Sequence, residues 1–293
     1  MKIGLIDVDG HNNFPNLALM KISAWHKSIG DSVEWWTGLE EYERVYMSKV
    51  FTFTPDIDTV IRAKEIVRGG TGYKDYGSLP DEIEEMKPDY SIYPYFKDAI
   101  GFLTRGCVRK CPWCIVPKKE GHIHAASTWR EIKRPDSKNI VFLDNNVLAC
   151  DHGLQQIEEL GYENIYVDFN QGLDARLITP DVAKLLSKLH WIRFIRLACD
   201  TSAMIPVIRQ ATQYLLEAGV SKSRFWAYAL IQDVAEAHDR VLALKEMGVN
   251  PFAQPYRDFD GGEPLQIQKD FARWVNNKAV FNSCSWDEYR KRQ

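Results

Sequence analysis

Cys107, Cys111 and Cys114 stand within eight residues of one another in the stretch GCVRKCPWCIVP, residues 106–117. Cysteine thiolates are soft ligands for iron–sulfur clusters and for zinc, and a C-x3-C-x2-C loop lets three sulfurs converge without strain. Gly106 lets the backbone approach closely. Three thiols leave one iron of a [4Fe-4S] cubane open to a further ligand, whereas a structural zinc takes a closed set of four. His122 or His124 in KKEGHIHAAS is the candidate for that fourth place. Burial as plain apolar thiols is the third reading, and it leaves unexplained why three fall so close together beside Arg105, Arg109 and Lys110.

The elements that must position this loop read as α/β. KIGLIDV (2–8) has the pattern of a buried strand, and Leu17 to His26 carry apolar residues at helical spacing up to Gly30. SVEWW and RVYMSKVF follow as strands, with a Gly-Gly-Thr-Gly loop at 69–72. From residue 99 the rhythm repeats in longer units. Strands are predicted at 99–105, 139–145, 164–170, 192–199, 224–231 and 250–257, with amphipathic helices between most of them. Thr179-Pro180-Asp181 supplies a helix N-cap with proline at the first helical position, and Gly248 ends the helix over 234–248.

Six strands with crossovers predict a parallel sheet curled into a partial (β/α)6, TIM-like barrel. The expected division is a small βα domain over 1–95, the barrel over 96–260 and a C-terminal extension over 261–293. In such sheets ligands collect at the C-terminal ends of the strands, where the cysteine loop lies.

At 293 residues, with 45% apolar residues and a net charge of −3, the chain has the composition of an ordinary globular protein. Six cysteines are too few in a chain of this size to read as a disulfide framework, with Cys150, Cys199 and Cys284 widely scattered, and no stretch approaches the roughly 20 apolar residues of a membrane span. A cytoplasmic protein without a membrane partner is the expectation. Residues 101–140 carry nine Lys/Arg against three Asp/Glu, so the loop sits in a positive setting suited to an anionic substrate. The basic stretches are short and interrupted, and give no support to a nucleic-acid partner.

C-x3-C-x2-C with Trp113 before the third cysteine, after the first strand of a predicted partial barrel, resembles the radical S-adenosylmethionine (SAM) superfamily. The resemblance covers about 99–258. It implies that Cys107, Cys111 and Cys114 hold a [4Fe-4S] cluster whose fourth iron is chelated by SAM. It further implies reductive cleavage of SAM to methionine and a 5′-deoxyadenosyl radical, which abstracts hydrogen from a substrate. Flavodoxin or ferredoxin is the implied electron donor.

The residues expected at the cofactor are Trp113 as a shielding aromatic, Asp144 and Asn145 in the Asp144-Asn145-Asn146 stretch where many members carry Gly-Gly-Glu, and Asn170 and Gln171 after the third barrel strand. Arg196 in the fourth strand needs an anion such as the SAM carboxylate, and Asp200 is placed to take ribose hydroxyls. The chain's start resembles a shortened Rossmann-like domain of the cobalamin-binding members. Their D-x-H-x-x-G motif is met only by Asp9 and His11, with Phe14 in place of glycine, so cobalamin is not expected. The alternatives from other classes are a zinc-stabilised binding module and an iron–sulfur protein without turnover.

Overall fold

The computed structural model describes residues 1–258 and 262–291. The protein is mixed α/β with parallel sheets, and it divides into two compact units.

Unit 1 contains residues 1–98 and the short segment Ile115–Gly121. Its strands are β1 (Lys2–Asp7), β2 (Ser32–Trp35), β3 (Tyr42–Ser48) and β4 (Ala63–Gly69), and its helices are α1 (Leu17–Ser28), α2 (Asp81–Glu84) and α3 (Val116–Lys119). The strands form one parallel sheet in the order β2-β1-β3-β4. The central β1 is apolar on both faces, as a strand covered on both sides must be. Asn16 starts α1 by accepting the Leu19 N–H (3.2 Å), and its amide donates to the Ser48 hydroxyl at the end of β3 (2.8 Å). The strand β4, AKEIVRG, carries charged residues on an edge and falls outside the strands that periodicity predicts.

Unit 2 contains residues 99–114, 122–258 and 262–291. Its longer parallel strands are β5 (Ala99–Gly101), β8 (Asn139–Phe142), β9 (Tyr166–Phe169), β11 (Ile195–Ala198), β12 (Phe225–Ile231) and β13 (Asn250–Pro255). The two-residue strands are β6 (Thr104–Arg105), β7 (His124–Ala125) and β10 (His190–Trp191). The helices are α4 (Trp129–Ile132), α5 (Asp151–Leu160), α6 (Pro180–Ser187), α7 (Ile205–Glu217), α8 (Val234–Glu246), α9 (Gln266–Asn276), α10 (Lys278–Ser283) and α11 (Trp286–Arg290).

One parallel sheet runs β10-β9-β8-β5 and another β11-β12-β13, with a parallel bridge between Leu173 and Leu197 linking the segments after β9 and in β11. The strand expected over 99–105 is two pieces. Its first three residues join the parallel sheet, and Thr104–Arg105 turn into an antiparallel pair with His124–Ala125, because the chain must leave the sheet to form the cysteine loop.

Packing follows the alternation in the strands. Every second residue of FWAYALI in β12 is buried, and the core gathers Phe142, Phe169, Leu197, Phe225 and the inner faces of α5 to α7. Thr179 caps α6 through the Val182 N–H (3.2 Å) with Pro180 at the first helical position. The C-terminal segment is part of unit 2. Trp274 and Phe271 of α9 pack with Trp286 of α11, and Asn276 both accepts from the Ala253 N–H (2.8 Å) and donates to its carbonyl (2.9 Å). That side-chain amide occupies ladder positions on β13, which lies at the edge of its sheet. Among the described residues no helix is long and apolar enough to cross a membrane.

Candidate functional site

Four consecutive loops at the C-terminal ends of β5, β8, β9 and β11 supply the polar residues near the cysteines. The turn that carries them starts at Gly106, whose φ of +81° is a left-handed value that side-chain-bearing residues resist. The Cys114 N–H closes a turn on the Cys111 carbonyl (3.0 Å). The Cys107 sulfur accepts two N–H groups, from the Arg109 backbone (3.3 Å) and from the Asn146 side chain (3.4 Å). N–H groups and nearby cations stabilise thiolate over thiol.

Asp144 anchors the base of this loop. It is 2% exposed and accepts the Leu103 N–H (3.1 Å), the Thr104 N–H (2.6 Å) and the Thr104 hydroxyl (2.7 Å). Burial pushes its carboxyl up to about 6, against the lowering effect of these donors. The residue expected to reach SAM is thus committed to the backbone that leads into the cysteines. Asn145 beside it is half-buried.

Asn146, the last residue of the stretch set against Gly-Gly-Glu, is the more telling neighbour. It is 2% exposed, its amide N–H group points to Cys107 and to Asp174 (3.4 Å), and its carbonyl oxygen is buried with no hydrogen-bond partner among the described residues. Buried acceptors in folded proteins are almost always paired.

Asp174 organises two further cations. It accepts Arg109 Nε (2.9 Å) and both Arg176 Nε (2.6 Å) and Nη2 (3.1 Å). Burial raises the Asp174 carboxyl, but the two guanidinium groups outweigh it and hold the pKa below its ordinary value. Arg176 in turn is held charged by Asp174 first and by the Cys111 and Cys107 sulfurs besides. Burial raises the Cys111 thiol, Arg176 opposes this, and Asp200, Cys107 and Asp174 add to the rise.

The other expected residues are placed as follows. Trp113 is half-buried; burial raises the Asp200 carboxyl, opposed first by the charge of Arg240. Arg196 has its anion within the chain: its Nε and Nη2 donate to the two oxygens of Asp168 (2.8 and 2.6 Å). Asn170 is half-buried and its carbonyl accepts the Tyr228 hydroxyl (2.8 Å), while Gln171 is exposed. His122 and His124 are exposed and turn their Nδ1 atoms to the carbonyls of Ile123 and His122 (3.3 and 3.0 Å). Among the described residues, no group of three or more His, Cys, Asp or Glu side chains converges on a common metal position.

The donor set nevertheless suits an iron–sulfur cluster in its chemistry. Three thiols lie in one loop, one sulfur already accepts two N–H groups, two arginines stand by, and a buried amide oxygen beside them lacks a donor. Asn146, Asp174 and Arg176 follow strands, where Asp and Asn also serve as ordinary turn formers, so residue type alone does not single them out. No protein-family model and no curated protein matches this chain.

Proposed function

We propose that unit 2 is the catalytic unit of a radical SAM enzyme, with a partial (β/α)6 barrel in the strand order β5-β8-β9-β11-β12-β13 and a Rossmann-like unit 1. The Leu173–Leu197 bridge between the two sheets supports the barrel reading. The observation that carries the functional reading is the Cys107 sulfur, hydrogen-bonded by Arg109 and Asn146 in a three-cysteine loop that Asp144 pins to the strand ends.

Cys107, Cys111 and Cys114 would supply three thiolates to a [4Fe-4S] cluster. When bound, the cluster supplies the electron that cleaves SAM to methionine and a 5′-deoxyadenosyl radical. Arg109 and Arg176, fixed by Asp174, offset the negative charge of the thiolates. The Asn146 oxygen, without a donor among the described residues, is an acceptor for the SAM ammonium group, and Trp113 is an aromatic wall for the loop. The local excess of Lys and Arg favours an anionic substrate, and the electron donor is of the flavodoxin or ferredoxin class in the cytoplasm.

The test is anaerobic reconstitution with iron and sulfide, followed by dithionite and SAM, with 5′-deoxyadenosine and methionine measured by chromatography. The expected result is a brown protein that yields both products and loses iron and turnover in Cys→Ala variants at 107, 111 and 114. Iron-loaded protein that yields neither product, or colourless protein carrying one zinc, overturns the enzymatic reading.

A further inference from the structure

Unit 1 contains a cavity at its own strand ends that the cysteine chemistry does not use. In the order β2-β1-β3-β4 the chain passes from β1 to one side and then crosses to the other, so the sheet order reverses beside β1. Ligands of open parallel sheets bind at such reversals, beyond the C-terminal ends of the strands. A cavity of about 380 Å³ lies there, with Asp7 at the end of β1 and Trp35, Trp36, Tyr93 and Tyr95 among its walls.

The aromatic groups are ordered with respect to one another. Trp35 and Tyr93 meet edge to face at 5.2 Å, and Tyr93 meets Tyr95 in the same way at 6.0 Å. Trp35 is fixed by its Nε1–H to the Ile92 carbonyl (3.0 Å), and the Tyr93 hydroxyl donates to Asp7 (2.7 Å). The Trp36 indole N–H is buried and has no acceptor among the described residues.

Charge decides the ligand class. Among the described residues no lysine or arginine pairs with Asp7, and the adjacent Asp9 adds a second negative charge whose oxygens are taken by the Val50 N–H (2.6 Å) and the Thr54 hydroxyl. Burial raises the Asp7 carboxyl from its ordinary value despite the Tyr93 hydrogen bond and the neighbouring His11. Aromatic faces are also negative, so walls and carboxylate together repel an anion and attract a cation. A cationic ligand would supply the half-buried carboxylate with a counter-charge that a neutral ligand lacks.

We propose that the cavity of unit 1, formed by Asp7, Trp35, Trp36, Tyr93 and Tyr95, binds a small organic ammonium cation. A hydroxyl on the same ligand would supply the acceptor that the Trp36 N–H lacks. The site is independent of the cluster reading and stands or falls without it.

Equilibrium dialysis of the full chain against radiolabelled choline tests this, with 3,3-dimethylbutan-1-ol as a neutral competitor of the same shape. Saturable choline binding is expected, displaced by unlabelled choline and at least about tenfold less well by the neutral alcohol. Asp7→Asn is expected to weaken binding about tenfold or more, and Tyr95→Leu, at a wall residue half open to solvent, severalfold with an unchanged unfolding midpoint. Absence of saturable binding, equal displacement by the neutral alcohol, or wild-type affinity in both variants overturns the proposal.

Discussion

Asp144 and Thr104 are joined twice: one carboxylate oxygen accepts both the Thr104 N–H at 2.6 Å and its hydroxyl at 2.7 Å. The pair ties the end of β8 to the segment that runs into Cys107. Removing the acceptor in Asp144→Ala leaves three buried donors unpaired, for a loss of about 3 kcal/mol in urea unfolding. Iron retained after reconstitution should fall in parallel, because the loop loses its anchor. Unchanged stability in this variant would show that the loop is held elsewhere.

Acidity gives the same residue a second signature. Its folded pKa of about 6 lies above the ordinary 3.8, so the native state holds the proton more tightly. The stability this contributes is fully present below about pH 4 and is lost as pH rises through about 6. Relative to Asp144→Asn, the wild type should therefore gain about 1 kcal/mol between pH 7 and pH 5, read as the difference in denaturant midpoints.

Arg196 and Asp168 form a two-pronged ion pair within the sheet, 16% and 10% exposed at their side chains. Removing either partner strands a charge, so Arg196→Met and Asp168→Leu should each cost about 3 kcal/mol. The double variant should recover most of that loss, since apolar replacements of a buried pair are often tolerated. With the guanidinium committed to Asp168, Arg196→Lys should change SAM affinity by less than about tenfold, measured by dialysis on reconstituted protein. A larger change would place the SAM carboxylate on Arg196.

Asp174 is the shared acceptor of Arg109 and Arg176, and it is 7% exposed at its side chain. Asp174→Asn leaves two partly open guanidinium groups facing each other, with an expected loss of about 2 kcal/mol. The same variant should lower iron incorporation while leaving the far-ultraviolet circular dichroism unchanged.

In unit 1, Asp89 ties α1 to the chain beyond α2 by accepting Lys27 Nζ (2.5 Å), the Ser23 hydroxyl (2.7 Å) and the Ser91 N–H (2.9 Å). Desolvation raises its carboxyl, but these donors prevail and bring the pKa to about 2. The stability it contributes is present above its unfolded value near 4 and is lost as pH falls towards 2. Because the group is partly open to solvent, the amount is about 1 kcal/mol. Asp89→Asn should show this deficit at pH 6 and approach the wild type at pH 2.5.

Some of this was legible in the chain itself. The spacing of Cys107, Cys111 and Cys114, the Thr179-Pro180 helix start, the end of α8 before Gly248 and the apolar run of β12 are local signals, carried by residues a few positions apart. They determine three thiols in one loop and an α/β chain with parallel strands. One break between the two compact units falls at 98/99, and Ile115–Gly121 also belongs to unit 1.

The partners of the polar residues were decided by the fold. Asp144 meets Thr104 across 40 positions, Arg196 meets Asp168 across 28, and Arg109 meets Asp174 across 65. In sequence each is an Asp, Asn or Arg in or after an apolar strand, and such residues look alike. Strand pairing, register and the pleat select which of them share a loop end and which are consumed by a neighbour. For that reason Asn146 and Asp174 join the cysteines, while Asp144 and Arg196 are held by the protein's own backbone and carboxylates.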